Sequence, residues 1–143
     1  MVKEDYDLET TPLEIKTDSV LGSNEQMFLV LYSAGGEWTG SIQILFKSTV
    51  QYGFGWCSRG SYTDFPATLP SSKDKIWRIT LTRTSGVRLR INCNDVEVLD
   101  VVLSDRVCSD NRWSTNWNGD VERIEFRSRD TASDHYRPYI IGE

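Results

Sequence analysis

Three runs in the second half of the chain alternate apolar and polar side chains with a period of two, over residues 77–83, 87–92 and 96–101. In the first, Trp77, Ile79 and Leu81 point one way while Arg78, Thr80 and Thr82 point the other. In the second, Val87, Leu89 and Ile91 face inward and Arg88, Arg90 and Asn92 outward. Such alternation predicts half-buried strands. Thr84-Ser85-Gly86 supplies the first turn and Asn94-Asp95 the second, the latter without the glycine of the strongest hairpin turns. A polar loop over residues 104–120 follows, carrying Trp113 and Trp117, and Ile124 and Phe126 then alternate with Arg123, Glu125 and Arg127 in a further strand.

The first half repeats the theme. Leu13 and Ile15 alternate with Glu14 and Lys16 after Pro12, predicting a short strand. The continuous apolar run 27–32, bounded by Gly22-Ser23-Asn24 and Gly35-Gly36, predicts a strand buried on both faces. Ile42, Ile44 and Phe46 oppose Gln43 and Leu45 in the next, and Tyr52, Phe54 and Trp56 alternate with glycines after it. A glycine inside a strand marks a bulge or a close backbone neighbour. Residues 57–75, with Pro66, Pro70 and many Ser and Thr, predict a long connection, and residues 138–141 a closing edge strand. Residues 1–11 are acidic and turn-rich and predict a loose lead-in. No long window has helical periodicity. Eight or nine short strands predict an all-β fold, an antiparallel two-sheet β-sandwich of the jelly-roll kind, forming one domain over residues 12–143.

The 143 residues suffice for one self-supporting core. A formal charge of −5 disfavours phosphate backbones and anionic membranes as partners, which argues against nucleic-acid binding. No apolar run approaches the roughly 18 residues of a membrane-spanning helix, so no membrane insertion is expected. The opening Met1-Val2-Lys3-Glu4-Asp5-Tyr6 has no apolar leader core, so a secreted form would be a mature chain behind an added methionine.

The three cysteines fit no zinc spacing. Cys93 ends one strand and Cys108 follows the next, so a Cys93–Cys108 disulfide is the favoured pair, leaving Cys57 free or joining two chains. Three reduced thiols in a cytosolic domain are the alternative.

Catalysis is constrained by elimination. The single histidine, His135, lies in a polar loop, and no serine sits in a G-x-S-x-G elbow. A glycosidase needs two facing carboxylates roughly 5–9 Å apart. Asp120 and Glu122 share a strand face, Glu125 falls on the other, and Glu97 on a separate strand is a partner for any of them. Binding has more support. Trp113 and Trp117 belong to no alternating pattern and suit stacking against a sugar ring, with Asn118 and His135 as polar contacts. Arg88, Arg90 and Asn92 are second contacts, on a polar sheet face that would also take in Arg78, Arg123, Glu125 and Arg127 if their strands are neighbours. Asp110, Asp130 and Asp134 offer loop oxygens of the kind a calcium ion takes, without EF-hand spacing.

The inward-facing triplet on residues 77–81, the Asn-containing hairpin and the long aromatic loop resemble the galectin-like or concanavalin-type jelly roll of animal lectins. The chain is also similar to the calcium-dependent galactose-binding lectins of sea anemones. The likeness spans residues 12–141. Galectins carry a His-x-Asn-x-Arg strand and a Trp followed by Glu-x-Arg; the nearest pattern here, Arg88-Leu89-Arg90-Ile91-Asn92, lacks the histidine. The resemblance implies a lectin for glycans bearing terminal galactose, β-galactosides first, in which a calcium ion takes vicinal hydroxyls and an aromatic ring packs on the sugar. The expectation is a secreted, non-enzymatic, homodimeric lectin, with Cys57 as the tie between subunits. The alternatives are an extracellular matrix or cell-surface protein-interaction module and a jelly-roll glycosidase.

Overall fold

A computed structural model describes residues 2–18, 26–32, 41–47, 49–54, 63–72, 74–83, 87–102, 120–128 and 138–142. These form eleven strands: β1 (Val2–Asp7), β2 (Leu13–Thr17), β3 (Met27–Tyr32), β4 (Ser41–Phe46), β5 (Val50–Phe54), β6 (Thr63–Phe65), β7 (Lys75–Thr82), β8 (Arg88–Cys93), β9 (Val96–Val102), β10 (Asp120–Ser128) and β11 (Tyr139–Ile140). A six-stranded sheet runs β1-β10-β3-β4-β5-β6 and a five-stranded sheet β11-β2-β7-β8-β9. Every pairing is antiparallel. The all-β, two-sheet sandwich expected from the alternation is the observed architecture.

The inward triplets meet across the sandwich. Met27, Leu29, Ile42, Ile44, Phe46 and Phe126 come from the six-stranded sheet, and Leu13, Ile15, Trp77, Ile79, Leu89 and Ile91 from the other; all are fully buried in one cluster. Trp77 joins the layers. Its ring lies 4.5 Å from that of Phe46 and 5.7 Å from that of Phe126, and its Nε1 donates to Thr17 Oγ1 at 3.0 Å. The indole therefore fills the space between the sheets while its one polar atom is satisfied.

Two expectations are corrected at the edges. Residues 2–7 are not a loose lead-in but β1, paired to β10 from Val2↔Glu125 to Asp7↔Asp120. The long connection after residue 57 contains β6, paired to β5. Both are the outermost strands of the six-stranded sheet. An edge strand buries little, so it needs no apolar alternation, and β1 is exposed or half-buried throughout.

The Asn94-Asp95 turn carries left-handed backbone at both residues, with φ of 50° and 65°. Two positive φ values match the twist of a two-residue hairpin, and asparagine and aspartate tolerate them better than other non-glycine residues. Asn94 also clamps the start of β7: its Oδ1 accepts from Ile76 N at 2.8 Å, and its Nδ2 donates to Asp74 O at 3.1 Å. Asn94→Ala is expected to cost about 2 kcal/mol in urea unfolding, from two lost hydrogen bonds and a poorer left-handed residue. Asp95→Gly is expected to add roughly 0.5–1 kcal/mol by relieving the same backbone constraint.

Candidate functional site

The two outer faces of the sandwich differ. On the six-stranded sheet the outward residues of β3 and of the end of β4, Phe28, Val30, Tyr32 and Leu45, form a second apolar cluster and are buried. Their neighbours Ser41 and Gln43 are buried too, and Gln43 Nε2 donates to Ser41 Oγ at 2.6 Å. At the flank, the Arg123 guanidinium lies 4.1 Å from the centroid of the Tyr32 ring and its Nε 3.3 Å from Glu125 Oε1. The middle of this face is buried.

The outer face of the five-stranded sheet is open. Strict alternation exposes Arg78 and Thr82 on β7 and Arg88 and Arg90 on β8, with Thr80 and Asn92 half-buried between them. Register sets the side chains in rows. Glu14, Arg78, Asn92 and Glu97 stand side by side across β2, β7, β8 and β9, and Thr80, Arg90 and Asp100 form the next row. The bulge that shifts register between Ile91 and Asn92 leaves Val98 without a partner. That extra residue carries Asp100 to the same face as Arg88 and Arg90.

Opposite charges interleave on this surface. Arg88 binds Asp100 through both ends of its fork, one bond being Nε to Oδ1 at 2.6 Å and the other Nη2 to Oδ2. The Arg88 hydrogen bond, with further help from Arg90, holds the Asp100 carboxyl below its ordinary range. Arg90 Nη2 lies 3.4 Å from Glu97 Oε1, and Arg90 Nε lies 3.9 Å from Asp100 Oδ2. Arg78 Nη1 lies 3.9 Å from Glu14 Oε1. These are exposed pairs worth little to stability, but they orient guanidinium planes that would otherwise wander.

Between them lies a hollow of about 220 Å³ lined by Arg78, Thr80, Arg90 and Asn92. It is smaller than a typical drug-sized pocket and suits one ring-sized polar group. Guanidinium donates only, carboxylate accepts only, and amide and hydroxyl do both. A sugar hydroxyl, itself donor and acceptor, matches such a mixture. The lining itself supplies guanidinium, amide and hydroxyl groups, and the Glu14 and Glu97 carboxylates stand beside it in the same row.

The expected residues are distributed as follows. Arg88, Arg90 and Asn92 share the outer face of β8, with Arg88 committed to Asp100. Arg123 and Glu125 do not join them: β10 belongs to the other sheet, so the laced surface covering all of these is corrected to one confined to the five-stranded sheet. The same division places Glu97 on β9 of the five-stranded sheet and Glu122 and Glu125 on β10 of the other. Trp113, Trp117, Asn118, His135, Asp110, Asp130, Asp134, Cys57 and Cys108 lie outside the described residues. Among the described residues no group of three or more His, Cys, Asp or Glu could hold a metal ion.

Cys93 corrects the disulfide expectation. It is a free thiol, fully buried in the core opposite Trp77. Ending β8 on the inward side of the alternation aims its sulfur at the hydrocarbon core rather than toward a loop. Burial pushes the thiol up to about 12, against the opposing influence of the Lys75 ammonium. Glu14 and Asp100 were absent from the expected site. The alternation around Glu14 marked an outward acid, whereas nothing local marked the bulge that exposes Asp100.

No protein-family model matches the chain, and no curated protein matches its sequence. Among solved structures it is similar to sheep galectin-11 in complex with glycerol, with a TM-score of 0.56 and 10% identity over 90% of this chain and 89% of that one. The sandwich is therefore galectin-like in fold.

Proposed function

We propose that the chain is a lectin that binds carbohydrate reversibly, without making or breaking a bond. The observation that carries this reading is the hollow in which the Arg78 and Arg90 guanidinium groups, the Asn92 amide and the Thr80 hydroxyl converge on an otherwise open sheet face. The galectin-like fold supports it as the scaffold. Hydroxyls are costly to desolvate, so a single ring in this hollow binds weakly, and the oriented guanidinium groups offset that cost by charge-assisted hydrogen bonds. Glycans bearing terminal galactose are the leading ligands, in a secreted, homodimeric protein. Calcium is proposed as an aid to binding through Asp110, Asp130 and Asp134, with Trp113 and Trp117 as stacking rings and Asn118 and His135 as polar contacts.

The deciding experiment is a glycan-array screen of the purified chain with and without a chelator. Retention of galactose-terminated glycans is expected, weakened by the chelator. Arg90→Ala is expected to lower affinity for the retained glycan about 10-fold or more, since a hydrogen bond to a charged group contributes roughly 1.5–3 kcal/mol. Retention of no glycan in either condition would overturn the reading.

A further inference from the structure

Two rows along the open sheet face extend past the hollow toward its β11 edge. Tyr139 pairs with Lys16, and Lys16 with Ile76, so these three side chains stand abreast on β11, β2 and β7, outside the buried Ile140, Ile15 and Trp77. The adjacent row begins at Glu14, whose carbonyl accepts from Ile141 N at 2.9 Å, and continues through Arg78 to Asn92. Tyr139 is 53% exposed, Ile141 41% and Ile76 44%, which makes this corner a small apolar platform with one aromatic ring. From it to the hollow the surface presents Lys16, Glu14 and Arg78, a donor, an acceptor and a donor.

We propose that the outer face of the five-stranded sheet is a single binding lane for a linear oligosaccharide, with one sugar in the Arg78–Thr80–Arg90–Asn92 hollow and a more distant sugar stacked on Tyr139. The inference rests on the lectin reading and deepens it. Strand spacing of about 4.8 Å and a rise of about 3.4 Å per residue place Tyr139 roughly 15 Å from the centre of the hollow, too far for one ring to touch both. A sugar chain presents hydroxyls along its edges and C–H faces on its rings, so polar groups along the lane and an aromatic ring at its end answer both surfaces. A protein partner is the poorer fit. Three apolar side chains at one corner, beside interleaved charges, fall short of the apolar centre that a protein interface needs. The small hollow explains why the lane is needed, because a single ring gains too few contacts to offset the cost of association.

The test titrates β-linked galacto-oligosaccharides of one to five units against the wild-type chain, Tyr139→Ala, Tyr139→Phe and Arg90→Ala by calorimetry, with circular dichroism confirming that each variant is folded. Wild-type affinity is expected to rise at least 10-fold from the monosaccharide to the pentasaccharide. The ratio collapses toward one in Tyr139→Ala and is kept in Tyr139→Phe, whereas Arg90→Ala weakens every length. A wild-type affinity that does not change with length, or a ratio that survives Tyr139→Ala, overturns the lane while leaving the lectin reading in place. Failure of every galacto-oligosaccharide and every array glycan to bind overturns both.

Discussion

Replacing Trp77 with alanine is expected to destabilise the fold by about 4–5 kcal/mol, the upper part of the range for removing a buried large side chain. The indole is fully buried and touches aromatic rings from the opposite sheet, Phe46 and Phe126, so its removal opens a void at the seam of the sandwich. Collapse around that void is limited, because both neighbours are anchored in paired strands, β4 and β10. Thr17, fully buried as well, would lose the donor to its hydroxyl, adding the cost of an unsatisfied polar atom. For a domain whose whole stability is roughly 5–15 kcal/mol, this leaves a marginal fold. The thermal midpoint should fall by about 10–15 °C on the scale for chains of this size. Trp77→Phe separates the two contributions: it retains a ring in the seam but not the hydrogen bond, and should cost about 1–2 kcal/mol. A loss below 1 kcal/mol for the alanine variant would contradict the packing described for the seam.

Trp77 is also where the sequence was most legible. Its strand alternates without interruption, and the strand that returns through Asn94-Asp95 lies beside β8 as expected. Alternation reports which side of a strand meets the core, and it reports nothing about which strand lies alongside. The non-local order of the sheets is therefore hidden, and Arg123 and Glu125 share a face with Arg78 and Arg90 only if their strands are neighbours, which they are not. Edge strands were hidden for a different reason. β1 and β6 are each paired on one side and pack little more than Tyr6 and Phe65 against the core, so their side chains carry no alternating apolar pattern to read.

The candidate site divides along the same line. Arg88, Arg90 and Asn92 were readable because they alternate with Leu89 and Ile91. Continued without a bulge, the register of the Asn94-Asp95 turn would set Arg90 against Leu99 and turn Asp100 inward. The unpaired Val98 shifts it, so that Val98 and Leu99 are both buried and Asp100 faces the arginines. One residue of slip moves every following side chain to the other face. The continuous apolar run of β3 correctly announced burial on both sides, its outward half, Phe28, Val30 and Tyr32, being buried as well. Tyr139 sat in a segment recognised as an edge strand, but its place abreast of Lys16 and Ile76 follows only from the sheet order.

Above pH 9 the chain is expected to lose stability steeply through Cys93. The thiol has an ordinary value of 9.0 and is pushed up to about 12 in the folded protein, first by burial, with Lys75 acting in the opposite direction. The sign follows directly. Between those two values the unfolded chain releases the thiol proton and the folded chain keeps it, so each further pH unit favours unfolding by up to about 1.4 kcal/mol. Lys75 works against this over part of the range. Its amine, buried and donating to Ser72 O at 2.6 Å, is lowered from 10.5 chiefly by desolvation, so the folded chain releases that proton sooner and gains stability as pH rises toward 10.5. Cys93→Ala removes the thiol together with its electrostatic coupling to Lys75, so the difference between the two proteins reports the thiol and that coupling. Urea unfolding of both proteins at half-unit steps from pH 8 to 11 should show the wild-type advantage over the variant shrinking by about 2–3 kcal/mol. The small cavity left by the substitution shifts the variant by the same amount at every pH, so it does not change the slope of the difference. A difference independent of pH would mean that the Cys93 sulfur has access to water or to a partner that accepts its charge, contrary to its place in the core.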